Sequence, residues 1–334
     1  MKKTSLIWTI LWIGLLGRQS LFASPLTFQN SSHFSEENMK KSLAWYTLNP
    51  HPMGSENQTK VAQTLELTLK KLGWKTTKQK FNTLVPNVDS EKFNGDHKNE
   101  KATKTINGYN IIGTLSGKEH CSLIIGGHYD TKYFKNFRFV GANDGGSSTI
   151  FMLELARLLK KEKFKAGTLG SCSISLVFFD GEEAFLPNWE EGKFLLGIQD
   201  NLYGSREFVN KYIHKKNNVY YFENRPINLT IILDMIGHKE QSLMITDGSN
   251  DVYSEAFIKS TKNTQIKKTW LSMEDDHIPF KELNLPFLHI IDWTNISEWH
   301  TAKDTEEIIS FKNLADFGKT FLNFLSHKRL ENGK

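Results

Sequence analysis

Five short runs of almost unbroken apolar residues dominate the chain: 109–115 (YNIIGTL), 122–126 (SLIIG), 173–179 (SISLVFF), 227–235 (INLTIILDM) and 286–291 (PFLHII). Each is of strand length, and none alternates cleanly between apolar and polar, so each must be covered on both faces. Segments with helical periodicity fall between them, at 146–160, 203–212 and 250–262, and another closes the chain at 311–325, with Leu314, Phe317, Phe321 and Leu325 on one face. Strands alternating with helices predict an α/β fold with a mixed, mostly parallel central sheet flanked by helices. Upstream, residues 35–48 form a helix ended by Asn49-Pro50-His51-Pro52. A capping box, Ser55-x-x-Gln58, then starts a helix carrying Val61, Ala62, Leu65, Leu69 and Leu72, closed by Gly73. The polar, lysine-rich stretch 85–104 reads as a surface loop or hairpin tip, and the basic 214–225 region as a loop. No internal repeat or Pro/Gly/Ser-rich linker divides the chain, so residues 24–334 are expected to be a single domain.

Residues 1–23 read as a signal peptide: Lys2 and Lys3, then an apolar run over 5–17 too short to span a bilayer comfortably, then Leu21-Phe22-Ala23 before the cut. The alternative, an uncleaved anchor, is disfavoured by that length. The mature protein is therefore expected to be exported, periplasmic or secreted, with no stable membrane span. Its formal charge of +5 falls to about +2 once Lys2, Lys3 and Arg18 are removed, which leaves no basic excess to meet nucleic acid. Two cysteines exclude a disulfide scaffold and a Cys₄ zinc site. Cys121 and Cys172 each open an apolar run, and export permits a disulfide between them if those strands are neighbours. Two separate buried thiols are the expectation, because the bonding geometry is demanding.

In open α/β sheets ligands sit beyond the carboxyl ends of the strands, and the polar residues of this chain gather where its apolar runs stop. His128, Tyr129 and Asp130 follow one run; Asp144 precedes the Gly145-Gly146 helix start; Asp180, Glu182 and Glu183 follow another; Asp234 ends a third; Trp299 and His300 lie just beyond the last. Five such junctions, each with a His or a carboxylate, are hard to explain as solvated surface. These oxygen and nitrogen donors suit zinc, and a catalytic zinc takes about three of them with one position open. Neighbouring side chains at a strand end diverge, so Glu182-Glu183 can supply one ligand and one general base. The Tyr203-Gly204-Ser205-Arg206 turn lacks the Gly-x-Ser-x-Gly elbow and reads as helix capping. The segment from Gly141 to Gly146 lacks the ending of a phosphate loop, and its glycines are expected to let backbone approach the metal site.

The segments GGHYDTKYF (126–134), VGANDGGSS (140–148), FFDGEEAF (178–185), DNLYGSREF (200–208), LDMIG (233–237), DDHIPF (275–280) and EWHTAKDT (298–305) occur in that order. Together they resemble the animal-type glutaminyl cyclases, zinc enzymes with the fold of the zinc-dependent aminopeptidases. The resemblance runs from about His51 to the last helix. It implies Asp144, Glu183 and His300 as ligands of one zinc ion and Glu182 as general acid/base. Asp234 and Asp275 become acids beside the leaving amide, and His289, Trp299 and Trp189 supporting and pocket residues. The loop AFLPNWEEG carries an extra residue relative to the family's pattern at Trp189. The positions of the animal disulfide fall at Gly127 and Thr149, so that bond is absent, and a bacterial member is implied. The reaction implied is ring closure of an N-terminal glutamine of a peptide or protein to pyroglutamate with release of ammonia, by a monomer.

A two-zinc aminopeptidase is the rival within the same superfamily, with His128 and Asp234 joining Asp144, Glu183 and His300 to hold a second ion. Asp275 ahead of Asp276-His277, the Trp299-His300 pair and the LYGSR segment favour the cyclase. In that reading Asp276 and His277 are expected to tie up His128 and Asp234 and remove the second metal position. A binding protein with a dead site is a third possibility, but it requires a missing ligand or base, and none is missing.

Overall fold

The computed structural model describes residues 23–88, 102–261 and 265–330. The expected leader up to residue 22 and residues 89–101 of the polar stretch lie outside the described residues.

Helices α1 (Glu36–Tyr46) and α2 (Glu56–Lys71) open the fold, each capped by a serine: Ser35 accepts from the Asn38 N–H and Ser55 from that of Gln58. The expected capping box is only half made. Gln58 turns its side chain inward, where Nε2 donates to the Tyr129 hydroxyl at 3.0 Å and to the Asp180 carboxylate, and the Ser55 N–H that the box would have engaged donates to the Pro52 carbonyl at 3.1 Å instead. Strands β1 (Lys75–Pro86) and β2 (Thr103–Leu115) form an antiparallel hairpin whose ends bracket the polar stretch. Then follow β3 (Ser122–His128), α3 (Gly146–Leu159), β4 (Ser173–Phe179) and α4 (Tyr203–Tyr212). The basic region is not a loop: β5 (His214–Lys216) and β6 (Val219–Phe222) pair antiparallel and lead into β7 (Arg225–Asp234). The two turns place Asn217-Asn218 and Glu223-Asn224 at positive φ, the backbone of tight hairpin turns. The chain ends with β8 (Leu243–Ile245), α5 (Asp251–Lys259), β9 (Ile266–Lys268), α6 (Ile278–Glu282), β10 (Phe287–Ile291) and α7 (Phe311–Leu325).

Among the described residues the ten strands form one sheet in the order β1-β2-β4-β3-β7-β10-β8-β9, with β5 and β6 attached beside β7. The central four, β4, β3, β7 and β10, are parallel. The α/β expectation is met, and side-chain alternation shows why these runs read as continuously apolar. Leu123, Ile125, Leu176, Phe178, Leu229 and Ile231 pack on one face with α1, α2, α3, α5 and α7. Ile124, Val177, Phe179 and Ile232 pack on the other with Phe208 of α4 and Phe280 of α6. Fully buried Phe317, Phe321 and Phe324 anchor α7, each worth about 1.5–3 kcal/mol by area.

Two further expectations are corrected. Cys121 and Cys172 are not separate thiols: they are disulfide-bonded, with Cα atoms 4.8 Å apart. The parallel register Ser122↔Ser173 sets the preceding cysteines side by side, and the pairing of β3 with β4 is what a sequence cannot display. The Tyr203–Arg206 turn does not cap α4 through a side chain. Leu202 holds the cap position at φ 51°, and Ser205 lies inside the first turn. Gly204 is instead packed against Asp180, where an added Cβ would meet the Asp180 carbonyl oxygen at 2.3 Å.

Candidate metal and active site

Parallel strands deliver their C-terminal ends to one edge of the sheet, and there the expected residues meet. His128 ends β3, Asp234 ends β7, and Glu182-Glu183 follow β4. Asp144 lies in the turn before α3. Gly145, at φ 74°, lets that turn close on the site, since an added Cβ would come within 2.7 Å of His128. His300 arrives from the segment after β10, also in the left-handed region at φ 55°, a conformation few non-glycine residues hold without support from their surroundings. That support is aromatic: the Trp299 and His300 rings stack at 3.8 Å, and Phe134 and Phe139 meet the imidazole edge-on.

Asp144, Glu183 and His300 form one buried cluster able to hold a metal ion, and His128, Asp144 and Asp234 form a second. Asp144 stands between them, its Oδ1 3.2 Å from His128 Nε2 and its Oδ2 3.4 Å from His300 Nε2. His300 Nε2 is also 3.0 Å from Glu183 Oε1, and His128 Nε2 3.2 Å from Asp234 Oδ1. Asp144 Oδ2 and Glu183 Oε2 are buried without a hydrogen-bond partner. Buried carboxylate oxygens are seldom left so, and a cation would satisfy both; the mixed nitrogen and oxygen donors suit zinc. The clusters accommodate one metal ion or two. The expected removal of the second position by Asp276 and His277 is not what the fold does. Both residues are buried, yet neither bonds His128 or Asp234, which bond each other.

A third group lies alongside. Asp275 Oδ2 is 2.6 Å from His289 Nε2, and the His277 ring stacks on His289 at 4.2 Å. His289 is fully buried, its Nε2 on Asp275 and its Nδ1 3.0 Å from the Thr246 hydroxyl. A cavity of about 390 Å³ opens over Asp144, Glu182, Glu183, Asp234, Asp275 and His300. Trp189 and Trp299 wall it, as does Trp293, whose ring meets Trp299 edge-on at 4.9 Å.

Charge in this enclosure is one-sided. Burial, reinforced by Glu183, Asp275 and Asp276 and opposed by His128, drives the Glu182 carboxyl well above its ordinary range. Burial likewise pushes Asp234 up to about 6 against the pull of His128. For Asp144 burial is outweighed by His128 and His300, and its carboxyl is held below the usual range. His300 is raised to about 9, because Glu183 and Asp144 overcome the effect of burial. A field that stabilises an imidazolium there stabilises a metal cation in the same place.

Several supporting contacts escaped sequence reasoning. The Asp130 carboxylate accepts from the backbone N–H of Glu182 at 3.1 Å and of Glu183 at 3.4 Å, fixing the acidic pair. Asp304 accepts from the N–H of Asn143 and Asp144 at 2.7 and 3.1 Å, tying the His300 segment to the Asp144 turn. Buried Lys132 lies 3.5 Å from Glu183 Oε2 and donates to the Ala184 carbonyl. Their only signal was membership of the same motifs, and Trp293 had none.

The description of peptidase family M28 matches residues 110–325. A glutaminyl-peptide cyclotransferase of Dictyostelium discoideum is 31% identical over 260 residues, 71% of this chain and 67% of that protein. Among solved structures, an Acidobacteriales bacterium glutaminyl cyclase superposes with a TM-score of 0.70 at 26% identity, over 91% of this chain and 98% of that one. A leucine aminopeptidase precursor from Bacteroides thetaiotaomicron VPI-5482 superposes with a TM-score of 0.67 at 19% identity, over 90% and 99%, a likeness of fold alone. The chain belongs to peptidase family M28, within the superfamily that unites those peptidases with the glutaminyl cyclases. It is related to cyclases of bacteria as well as animals, not to the animal type alone.

Proposed function

We propose that this chain is a zinc-dependent glutaminyl-peptide cyclotransferase that converts the N-terminal glutamine of peptides and proteins to pyroglutamate. The observation that carries the reading is the convergence of Glu182, Asp234 and Asp275 with tryptophan walls on the cavity that faces the Asp144, Glu183 and His300 cluster. In this reading those three residues hold one zinc ion, which when bound supplies Lewis-acid polarisation of the glutamine side-chain carbonyl. Glu182, its proton affinity raised by burial, takes a proton from the substrate's α-amine as its nitrogen bonds to the side-chain carbonyl carbon. It returns the proton to the amide nitrogen as the carbon–nitrogen bond breaks, so that ammonia leaves. Asp234 and Asp275 hold that nitrogen, and His289 orients Asp275. Trp189 and Trp299 enclose the glutamine side chain.

The same reading has residues 1–23 removed on export and the mature protein acting as a monomer outside the cytoplasm; the Cys121–Cys172 disulfide supports an oxidising compartment. Among the described residues no helix is long and apolar enough to cross a membrane.

The intact His128, Asp144 and Asp234 cluster favours a second reading, a two-metal aminopeptidase. One assay separates them: purified mature protein with a glutamine-initiated peptide and, in parallel, with leucine amide. Ammonia released from the glutamine peptide, with the chain intact and lighter by that ammonia, is the expected result. Free leucine in its place would establish the peptidase.

A further inference from the structure

Trp189, Glu190 and Glu274 line the 390 Å³ cavity. Those residues also line a second cavity of about 610 Å³, whose remaining walls include Lys193, Phe194 and Asn201. The two cavities border on these three residues, so the outer one adjoins the place that a peptide's first residue would occupy in the inner one. We infer that the residue following the substrate's glutamine lies at this junction and that Glu190 and Glu274 select a cationic side chain there. The inference rests on the cyclase reading above and adds a specificity to it.

Three observations carry it. Glu274 is exposed yet held in place: Asn201, 1% exposed, donates Nδ2 to Glu274 Oε2 at 3.2 Å. Asn201 is itself fixed by Arg206, whose Nη1 donates to Asn201 Oδ1 at 3.2 Å. Neither Glu190 nor Glu274 forms an ion pair among the described residues, so both carboxylates are available to a cation brought by the substrate. The lysine of this region, Lys193, lines only the outer cavity, so the charge changes sign outward: acids at the junction, a base beyond. Phe194, 80% exposed on the turn formed by Gly192–Leu196, presents an apolar face to the aliphatic stem of an arginine or lysine.

The test uses metal-loaded mature enzyme and three peptides identical except for arginine, alanine or glutamate after the N-terminal glutamine. Ammonia release gives kcat/KM for each. The expected order is arginine, then alanine, then glutamate, with arginine over glutamate by roughly three- to tenfold at low salt. The ratio shrinks in Glu274→Gln and in Glu190→Gln, and in wild type at high ionic strength. Reading the ratio within each variant cancels a general loss of activity, and two separate variants guard against one that folds poorly. Equal kcat/KM on the three peptides, or a ratio unchanged in both variants, overturns the subsite and leaves the cyclase standing. Ammonia from none of them overturns the cyclase and the subsite with it.

Discussion

Glu182 and Glu183 are neighbours in the chain with opposite surroundings. Glu183 faces His300 and Lys132, whereas Glu182 lines the cavity among other acids. Replacing Glu182 by glutamine is therefore expected to lower kcat by about 10²- to 10⁴-fold while metal content, read by elemental analysis, stays at the wild-type level. Loss of metal would show that the two glutamates have exchanged roles. His51 presents the other face of burial. Its Nδ1 lies 2.8 Å from the Asn49 carbonyl and carries the proton, while Nε2 is buried without a partner. Burial, opposed by that carbonyl, lowers its pKa to about 4. The unfolded chain binds this proton below about 6.5 and the folded one only near 4, so stability present above 6.5 is lost as pH falls between the two. The whole effect is about 3 kcal/mol. Denaturant unfolding of wild type and His51→Gln at pH 7 and pH 4.5 checks this: the difference between the proteins should move against wild type at the lower pH, and parallel curves would sink the account.

At the scale of elements, β3 and β4 do two jobs at opposite ends. Their starts are tied by the Cys121–Cys172 disulfide, while His128 ends β3 and the acidic pair follows β4. A bond that closes a loop of 51 residues stabilises by about 2–4 kcal/mol. Replacing both cysteines by serine should lower the thermal midpoint by several degrees and leave kcat at 25 °C close to wild type. Lost activity with an unchanged midpoint would mean that the bond acts on the site. Strand β1 shows why some elements escape detection. Its sequence, KTTKQKFNTLVP, buries only Gln79, Phe81, Val85 and Pro86, too few apolar residues to mark a strand, and as an edge strand it turns Lys75 and Lys80 to solvent. Its place is set by pairing with β2, not by its own pattern.

For the whole molecule, the central consequence is linkage between metal and fold. The clusters built on Asp144 join the turn before α3, the ends of β3, β4 and β7, and the His300 segment. An ion bound there stabilises the assembled state only, by about 2.7 kcal/mol when free metal is a hundredfold above its dissociation constant. Chelation should therefore lower the melting temperature, and zinc should restore it in calorimetry. An unchanged midpoint after verified metal removal would show that the clusters are rigid without an ion. Metal analysis of active, dialysed protein then counts sites: one per chain agrees with the cyclase, and two with the peptidase.

The apolar runs were enough to read a mostly parallel sheet covered on both faces, because a strand buried on two sides has little room for polar residues. Residues at the ends of those runs were readable as a site for the same reason: polar side chains directly after a buried strand have one place to go. Tertiary structure alone decided which strands are neighbours, and so that Cys121 meets Cys172. It also turned Gln58 inward to Asp180, placed Asp130 and Asp304 under the turns that carry Glu182-Glu183 and Asp144, and left His277 beside His289 rather than His128. Those are contacts between residues far apart in the chain. Their partners are chosen by register and packing, which no local pattern encodes.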